Sequence, residues 1–364
     1  MINQASKGMK SVLDNGSTNG TADSSACATS STSKGDTVIQ DFETFLLQYK
    51  DKLSTLFTKR NDEDQLASER GLPPYVMQQI QSCVPLSTFI PSEYGGRGGN
   101  TAEALSMLEV SSYQSLPLSL MMGINGALFL QPVANYAQDQ VKSNVFDGVI
   151  HRGKMGGLMI TEPDFGSDAL RMKTGYRLTE SGYRVEGIKH WAGLTGWADY
   201  WLITARPLDS KGELGRDVSF FVHDSERGGI EVEEVFQNLG LYMLPYGRNR
   251  IDINVPESDK LEPRSTGIKM MLDILHRSRL QFPGMSTGFL RRMLDEALEH
   301  CKTRFVGGAS LLNYDQVKAR IASLQSHFTA SSAMAFFTSR NVPLTQDTSR
   351  MDLAANSIKS VSTD

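Results

Sequence analysis

The run Thr161-Glu162-Pro163-Asp164-Phe165-Gly166-Ser167-Asp168 follows directly on Gly157-Leu158-Met159-Ile160. An apolar, strand-like stretch thus opens into a loop that holds proline and glycine. Such a loop presents unpaired backbone groups, which suit a planar polar ring or a phosphate. Pro-Asp and Gly-Ser are equally ordinary turn pairs, so by itself the loop is also what a plain surface turn looks like. A second run, Lys189-His190-Trp191-Ala192-Gly193, leads on to Trp197-Ala198-Asp199-Tyr200. A tryptophan at a strand end either walls one face of an aromatic ligand or fills the core.

Outward from these two runs the pattern stays strand-like. GLMIT, GYRLTE, GYRVEGIKHW, DYWLITARP, VSFFVHD, GIEVEEVF and NRIDINVP are short apolar or alternating stretches, separated by Gly, Asp, Asn and Ser. Strands without helices between them predict an antiparallel barrel or sandwich over residues 155–263. Residues 37–154 read as helical, as in DFETFLLQYKDKLSTLF and AEALSMLEVSSY. Residues 264–364 read as helical again. IKMMLDILHRSRLQFPGMSTGFLRRMLDEALEHCKTRF predicts one long helix with a Pro-Gly interruption, LNYDQVKARIASLQSHFTASSAMAFFTSR a second, and DLAANSIKSVSTD the first turns of a third. The expected fold class is α+β: a helical domain, a β-barrel-like domain, then a helical bundle.

Composition excludes several functions. The 364 residues carry a formal net charge of -4, so no basic excess draws the chain to nucleic acid. Three distant cysteines, Cys27, Cys83 and Cys301, support neither a disulfide framework nor a zinc site, and no histidines pair at helical spacing. Residues 1–36 are rich in Ser, Thr, Gly and Asn and read as a disordered tail. With no apolar core and no arginine there, the tail reads as neither a secretory signal nor a mitochondrial presequence, and the cytoplasm is the expected location. The uncharged stretch 110–138 is interrupted by Pro117, Asn125, Gln131 and Pro132, which predicts a buried core helix and no membrane span.

Taken together, the two runs resemble the middle domain of the acyl-CoA dehydrogenase family: a T-E-P-x-x-G-S-D loop, then K-x-W, then A-D before an apolar strand. Pro91-Ser92-Glu93-Tyr94-Gly95-Gly96 is similar to that family's P-E-x-Y-G-G loop. Arg279 stands where the family's long C-terminal helix opens, and Leu294-Asp295-Glu296-Ala297 resembles its L-D-E-A. Arg304, Gly308, Leu311, Leu312 and Gln316 resemble its R-x-x-F-G-x-x-L-x-x-x-Q. The resemblance runs from Phe42 to Asp364.

What it implies is FAD held between the β domain and the C-terminal helices. Leu158, Met159, Ile160, Thr161, Gly166 and Ser167 would line the flavin, with Trp191, Ala192 and Gly193 beside the ring. Ser167 and Arg279 would lie on the substrate side. Arg304 and Gln316 would reach the cofactor of a neighbouring subunit, in a homodimer or homotetramer. The implied reaction is α,β-dehydrogenation of an acyl-CoA or acyl-carrier-protein thioester, with electrons passed to an electron-transfer acceptor. Met121, Met122 and Gly123 would wall the tail pocket, although two such methionines are more often plain core.

The sequence departs from the family pattern at four places. Asp164 and Phe165 are bulkier than the usual loop residues. Gly193 takes the place of the hydroxyl residue that bonds flavin N5, with Thr195 two residues on. Arg304 and Gln316 stand one residue further apart than usual, with Gly307 at the customary Phe and Phe305 nearby. The usual catalytic glutamate falls beyond Asp364, which reads as a C-terminally incomplete chain, and the alternative position for it holds Ser278. These departures keep two further readings open: a flavin monooxygenase or oxidase on the same fold, and a catalytically inactive acyl-CoA-binding relative.

Overall fold

Asp41 accepts a hydrogen bond from the Thr44 amide and so starts the first helix, α1 (Phe42–Ser54), which buries Phe45, Leu46, Tyr49 and Leu53. The computed structural model describes residues 40–59, 66, 71–343 and 346–363; the stretch 1–36 lies outside them. There follow α2 (Pro74–Gln81), α3 (Thr101–Gln114), α4 (Leu116–Asn125), α5 (Gln131–Tyr136) and α6 (Asp139–Arg152). A π turn over Gly126–Leu130 joins α4 to α5, so Leu116–Tyr136 is continuously helical. The buried core helix expected over this stretch is present, and Pro117, Asn125, Gln131 and Pro132 are carried within it. Pro117 sits in the first turn of α4, where its missing N–H costs nothing, and the π turn accommodates Pro132. The run is long and apolar enough to cross a membrane by length and composition alone, and 78% of its apolar window is buried inside the fold.

The middle of the chain forms a seven-stranded sheet. Its strands are β1 (Gly156–Met159), β2 (Gly175–Thr179), β3 (Gly182–Gly193), β4 (Tyr200–Pro207), β5 (Ser219–Asp224), β6 (Ile230–Val235) and β7 (Tyr246–Val255). The order is β1-β4-β2-β3-β7-β6, with β5 also paired to β4. The expected antiparallel domain needs one correction, because β1 and β2 both run parallel to β4. Parallel partners far apart in the chain leave no local pattern; the trace they do leave is β4 itself, buried from Tyr200 to Ala205.

The chain then returns to helix with α7 (Gly267–Leu280) and α8 (Phe282–Thr303). The Pro-Gly interruption expected in this long run divides it into two helices at Gln281. Pro283 lacks an N–H, and its ring crowds the carbonyl four residues back, so the first helix ends at Leu280. A short hairpin, β8 (Phe305–Val306) with β9 (Ala309–Ser310), leads into α9 (Asp315–Asn341) and α10 (Asp352–Thr363).

Helix α8 lies close against α3. A Cβ added at Gly288 would stand 2.0 Å from the Glu109 carbonyl oxygen, so only glycine permits this approach. One hydrophobic core joins the three parts, with Met107, Leu202, Met270, Ile274 and Met285 in the same cluster. Asp273 of α7 ties the C-terminal segment down: it accepts from Tyr136 Oη at 2.7 Å, from Thr348 Oγ1 at 2.7 Å and from Arg277 Nε at 2.8 Å. The outer helices are less covered. Of the 27 residues of α9, Ser331, Ala335 and Thr338 are the buried ones, while Phe336 and Phe337 are exposed.

Candidate functional site

The parallel pairing of β1 with β4 delivers the loop 161–168 to one end of the sheet, beside β3. The His190 amide donates to the Thr161 carbonyl at 2.8 Å and fastens loop to strand. Behind the loop lies a buried ion pair. Lys189 Nζ stands 3.0 Å from Glu162 Oε1, with the two side chains 0% and 4% exposed. The ammonium also donates to Thr204 Oγ1 at 3.0 Å and to the Ile160 carbonyl at 3.3 Å. Glu162 accepts further hydrogen bonds from the amides of Lys173 and Thr174. Thr204 in turn donates to the Met159 carbonyl at 3.1 Å.

Burial alone would push the Glu162 carboxyl up; the Lys189 charge and the Thr174 and Lys173 donors outweigh it and leave the group below the usual carboxylate range. Burial pulls the Lys189 ammonium down to about 8 against the hold of Glu162, so the pair is charged at neutral pH. Both residues stood in the two runs that resembled the family, but the sequence reading gave them no role. The available signal was opposite charges inside two otherwise apolar strand ends, which burial can tolerate only as a pair.

In front of the loop the groups are open. A β-bulge between Lys189 and Ala192 shifts the register against β7. At the bulge Trp191 adopts φ +56°, a left-handed conformation uncommon for a bulky residue. Trp191 is 53% exposed and its ring packs at a tilt against Phe236, 4.7 Å between centroids. Leu158, Met159, Ala192 and Gly193 are buried, Ile160 and Thr161 half-buried, Gly166 and Ser167 exposed. A Cβ at Gly166 would meet nothing within 4 Å. Among the described residues, neither the Thr161 nor the Ser167 hydroxyl has a hydrogen-bond partner. The structure therefore brings residues 158–167 and 191–193 together at one sheet end.

The other expected site residues sit on separate elements. Ser278 and Arg279 are half-buried in the last turn of α7. Arg304 caps α8 and Gln316 lies in the first turn of α9, both exposed, flanking the β8–β9 hairpin with its exposed Phe305 and Gly307. Among the described residues, no hydrogen bond or ion pair joins Arg304 or Gln316 to the loop 161–168. Thr195 does not stand in for a hydroxyl at position 193. It is buried, donates to the Ala192 carbonyl at 2.8 Å and accepts from Asn249 Nδ2 at 3.0 Å. No group of His, Cys, Asp and Glu among the described residues is arranged to hold a metal ion.

Models of the acyl-CoA dehydrogenase N-terminal, middle and C-terminal domains match residues 57–152, 157–253 and 265–363 in turn. The chain belongs to the acyl-CoA dehydrogenase family. A probable acyl-CoA dehydrogenase of Mycobacterium tuberculosis is 25% identical over 283 residues, 77% of this chain and 43% of that protein. The chain thus spans less than half the length of that relative. Butyryl-CoA dehydrogenase from Megasphaera elsdenii superimposes with a TM-score of 0.79 at 17% identity, covering 91% of this chain and 86% of the other. A glutaryl-CoA dehydrogenase from Mycobacterium smegmatis in complex with FADH2 gives 0.73 at 18% identity, covering 84% and 77%. These likenesses establish the acyl-CoA dehydrogenase fold: helical ends around a curled sheet.

Proposed function

We propose that this acyl-CoA dehydrogenase family chain is an FAD-dependent oxidoreductase that introduces an α,β double bond into an acyl thioester, carried on CoA or on acyl carrier protein. The observation that carries the reading is the contrast across one loop: a fully bonded ion pair behind it, and unpartnered hydroxyls and a half-exposed indole before it. Polar groups without partners beside an aromatic wall suit a flat, polar ring. FAD, when bound, would take up the hydride leaving the β-carbon, and the α-proton would pass to a general base, a role that none of the residues named here fills. The chain's own residues bind, orient and exclude water. The backbone of residues 158–161 and the Thr161 hydroxyl address the ring, and Trp191, Ala192 and Gly193 flank it. Ser167 and Arg279 face the thioester arm. Arg304, whose planar fork suits a diphosphate, and Gln316 serve the cofactor of a second subunit. The exposed phenylalanines of α9 support that dimer, or a tetramer built from it. A separate electron-transfer acceptor reoxidises the flavin. A cytoplasmic location goes with this reading, in keeping with Cys83 and Cys301 buried as free thiols.

Ser278 and Gly193 favour a second reading, flavin oxygen chemistry on the same fold, because a serine cannot act as a carboxylate base. Purified protein supplied with FAD, titrated anaerobically with acyl-CoA thioesters of graded length and then assayed with the same thioesters in air, separates the readings. Bleaching of the visible flavin band supports dehydrogenation. Oxygen consumption without an added acceptor supports the second reading. Thioester binding without bleaching leaves a non-catalytic binder, and protein that takes up no FAD sinks both flavin readings.

A further inference from the structure

Gly193 faces Tyr246 directly across the β3–β7 ladder. With no side chain at 193, the phenol ring occupies that space. A Cβ built on Gly193 would stand 3.2 Å from Tyr246 Cε1 and 2.8 Å from Ile124 Cδ1. A serine or threonine there would push against both neighbours, so the glycine and the tyrosine are fitted to each other. A ring laid over a cross-strand glycine is a packing device in its own right, but packing requires only the ring.

The hydroxyl needs a separate account. Tyr49, Tyr136 and Tyr176 each bond theirs to a neighbour: Ser111 at 2.9 Å, Asp273 at 2.7 Å and Ser219 at 3.0 Å. The Tyr246 hydroxyl has no hydrogen-bond partner among the described residues. Burial pushes this phenol up to about 12, so it keeps its proton through the physiological range. Tyr246 is half-buried and its hydroxyl is not among the buried unpartnered groups, so the donor stands open at this face to an incoming acceptor. The same ring lies 6.3 Å from the Trp191 indole, centroid to centroid, and so shares the open face in front of the loop 161–168.

We propose that Tyr246 is a cofactor-contacting residue whose Oη donates a hydrogen bond to the edge of the bound flavin ring, with Gly193 as the residue that makes room for it. This rests on the flavin reading of the site and adds to it a group from a strand that the sequence motifs do not touch. The donor function has moved from β3 to β7, across one rung of the ladder.

Tyr246→Phe in the full chain tests the assignment, because it keeps the ring over Gly193 and removes only the hydroxyl. The measurements are the dissociation constant for FAD from flavin fluorescence, the visible band positions of bound flavin, and the melting temperature of the flavin-free proteins. FAD binding is expected to weaken about fivefold, the size of one lost neutral hydrogen bond. The visible bands are expected to shift, and the flavin-free melting temperature to stay within error. Equal affinity with an identical spectrum overturns the proposal. A lower flavin-free melting temperature in the variant also overturns it, since the hydroxyl would then serve the fold. Wild-type protein that takes up no FAD overturns the flavin reading itself, and the Tyr246 assignment falls with it.

Discussion

The two faces of the loop 161–168 differ in their ion pair and their hydroxyls: behind it the Lys189–Glu162 pair is bonded throughout, although the buried Thr174 Oγ1 has no partner among the described residues, and before it the Thr161 and Ser167 hydroxyls stand open. Lys189 spends its donors on Glu162, Thr204 and the Ile160 carbonyl, and Glu162 accepts from Lys189 and two backbone amides. Thr161 and Ser167 leave their hydroxyls open, and Trp191 holds a strained φ of +56° at a bulge. The contrast separates two uses of polarity. A buried group without partners is penalised, so the back layer is a scaffold. Strained backbone often gathers at functional sites, and the front layer, with Trp191 and the open hydroxyls, is the site proposed here. If this division holds, damage to the back should appear as lost stability and damage to the front as lost ligand.

The sharpest break comes from the back. Lys189→Met leaves the Glu162 carboxylate buried without its counter-charge, and should cost about 3–5 kcal/mol in chemical denaturation. The double variant Glu162→Gln with Lys189→Met should recover a large part of that loss, because no uncompensated charge remains. Equal destabilisation by single and double variants would show that shape, not charge, holds the loop.

Trp191→Ala tests the front. The indole is half-exposed, so the flavin-free protein should melt within a few degrees of wild type, whereas FAD affinity should fall about tenfold or more with the loss of a stacking face. Flavin fluorescence titration reads the affinity. A large drop in melting temperature with unchanged affinity would reverse the assignment of the two faces.

Acidity sharpens the same comparison. The Glu162 carboxyl lies below its ordinary value when folded, so its contribution is complete above about pH 4.5 and disappears as the pH falls through the folded value. Melting temperature measured from pH 7 downward should therefore fall on the acid side in wild type. Glu162→Gln, already less stable, should show a shallower acid limb. Parallel limbs would mean that other carboxylates carry the acid sensitivity.

Much of this arrangement could be read before folding, because it follows from local pattern. The seven strand-like runs are the seven strands, and the loop and the tryptophan were picked out by composition and order. What escaped the sequence is what depends on distance. Lys189 and Glu162 are 27 residues apart, and no local period joins them. The parallel pairing of β1 with β4 is decided by tertiary packing between segments far apart in the chain. Tyr246 was invisible for the same reason: its relevance to Gly193 exists only across the ladder, where neither residue alone suggests the other.

The smallest effect separates two threonines close to the same strand end. Thr195→Val removes a hydroxyl that donates to the Ala192 carbonyl and accepts from Asn249, so the stability of the flavin-free protein should drop by about 1–2 kcal/mol. Thr161→Val removes a hydroxyl with no partner, so stability should hold and FAD affinity should fall severalfold. Both changes are close in size and shape, and both lie within reach of the bulge. If the two variants behave alike, by either measure, bonding state does not tell scaffold from site here. If they part as expected, the open hydroxyl of Thr161 belongs to the ligand and the bonded hydroxyl of Thr195 to the fold.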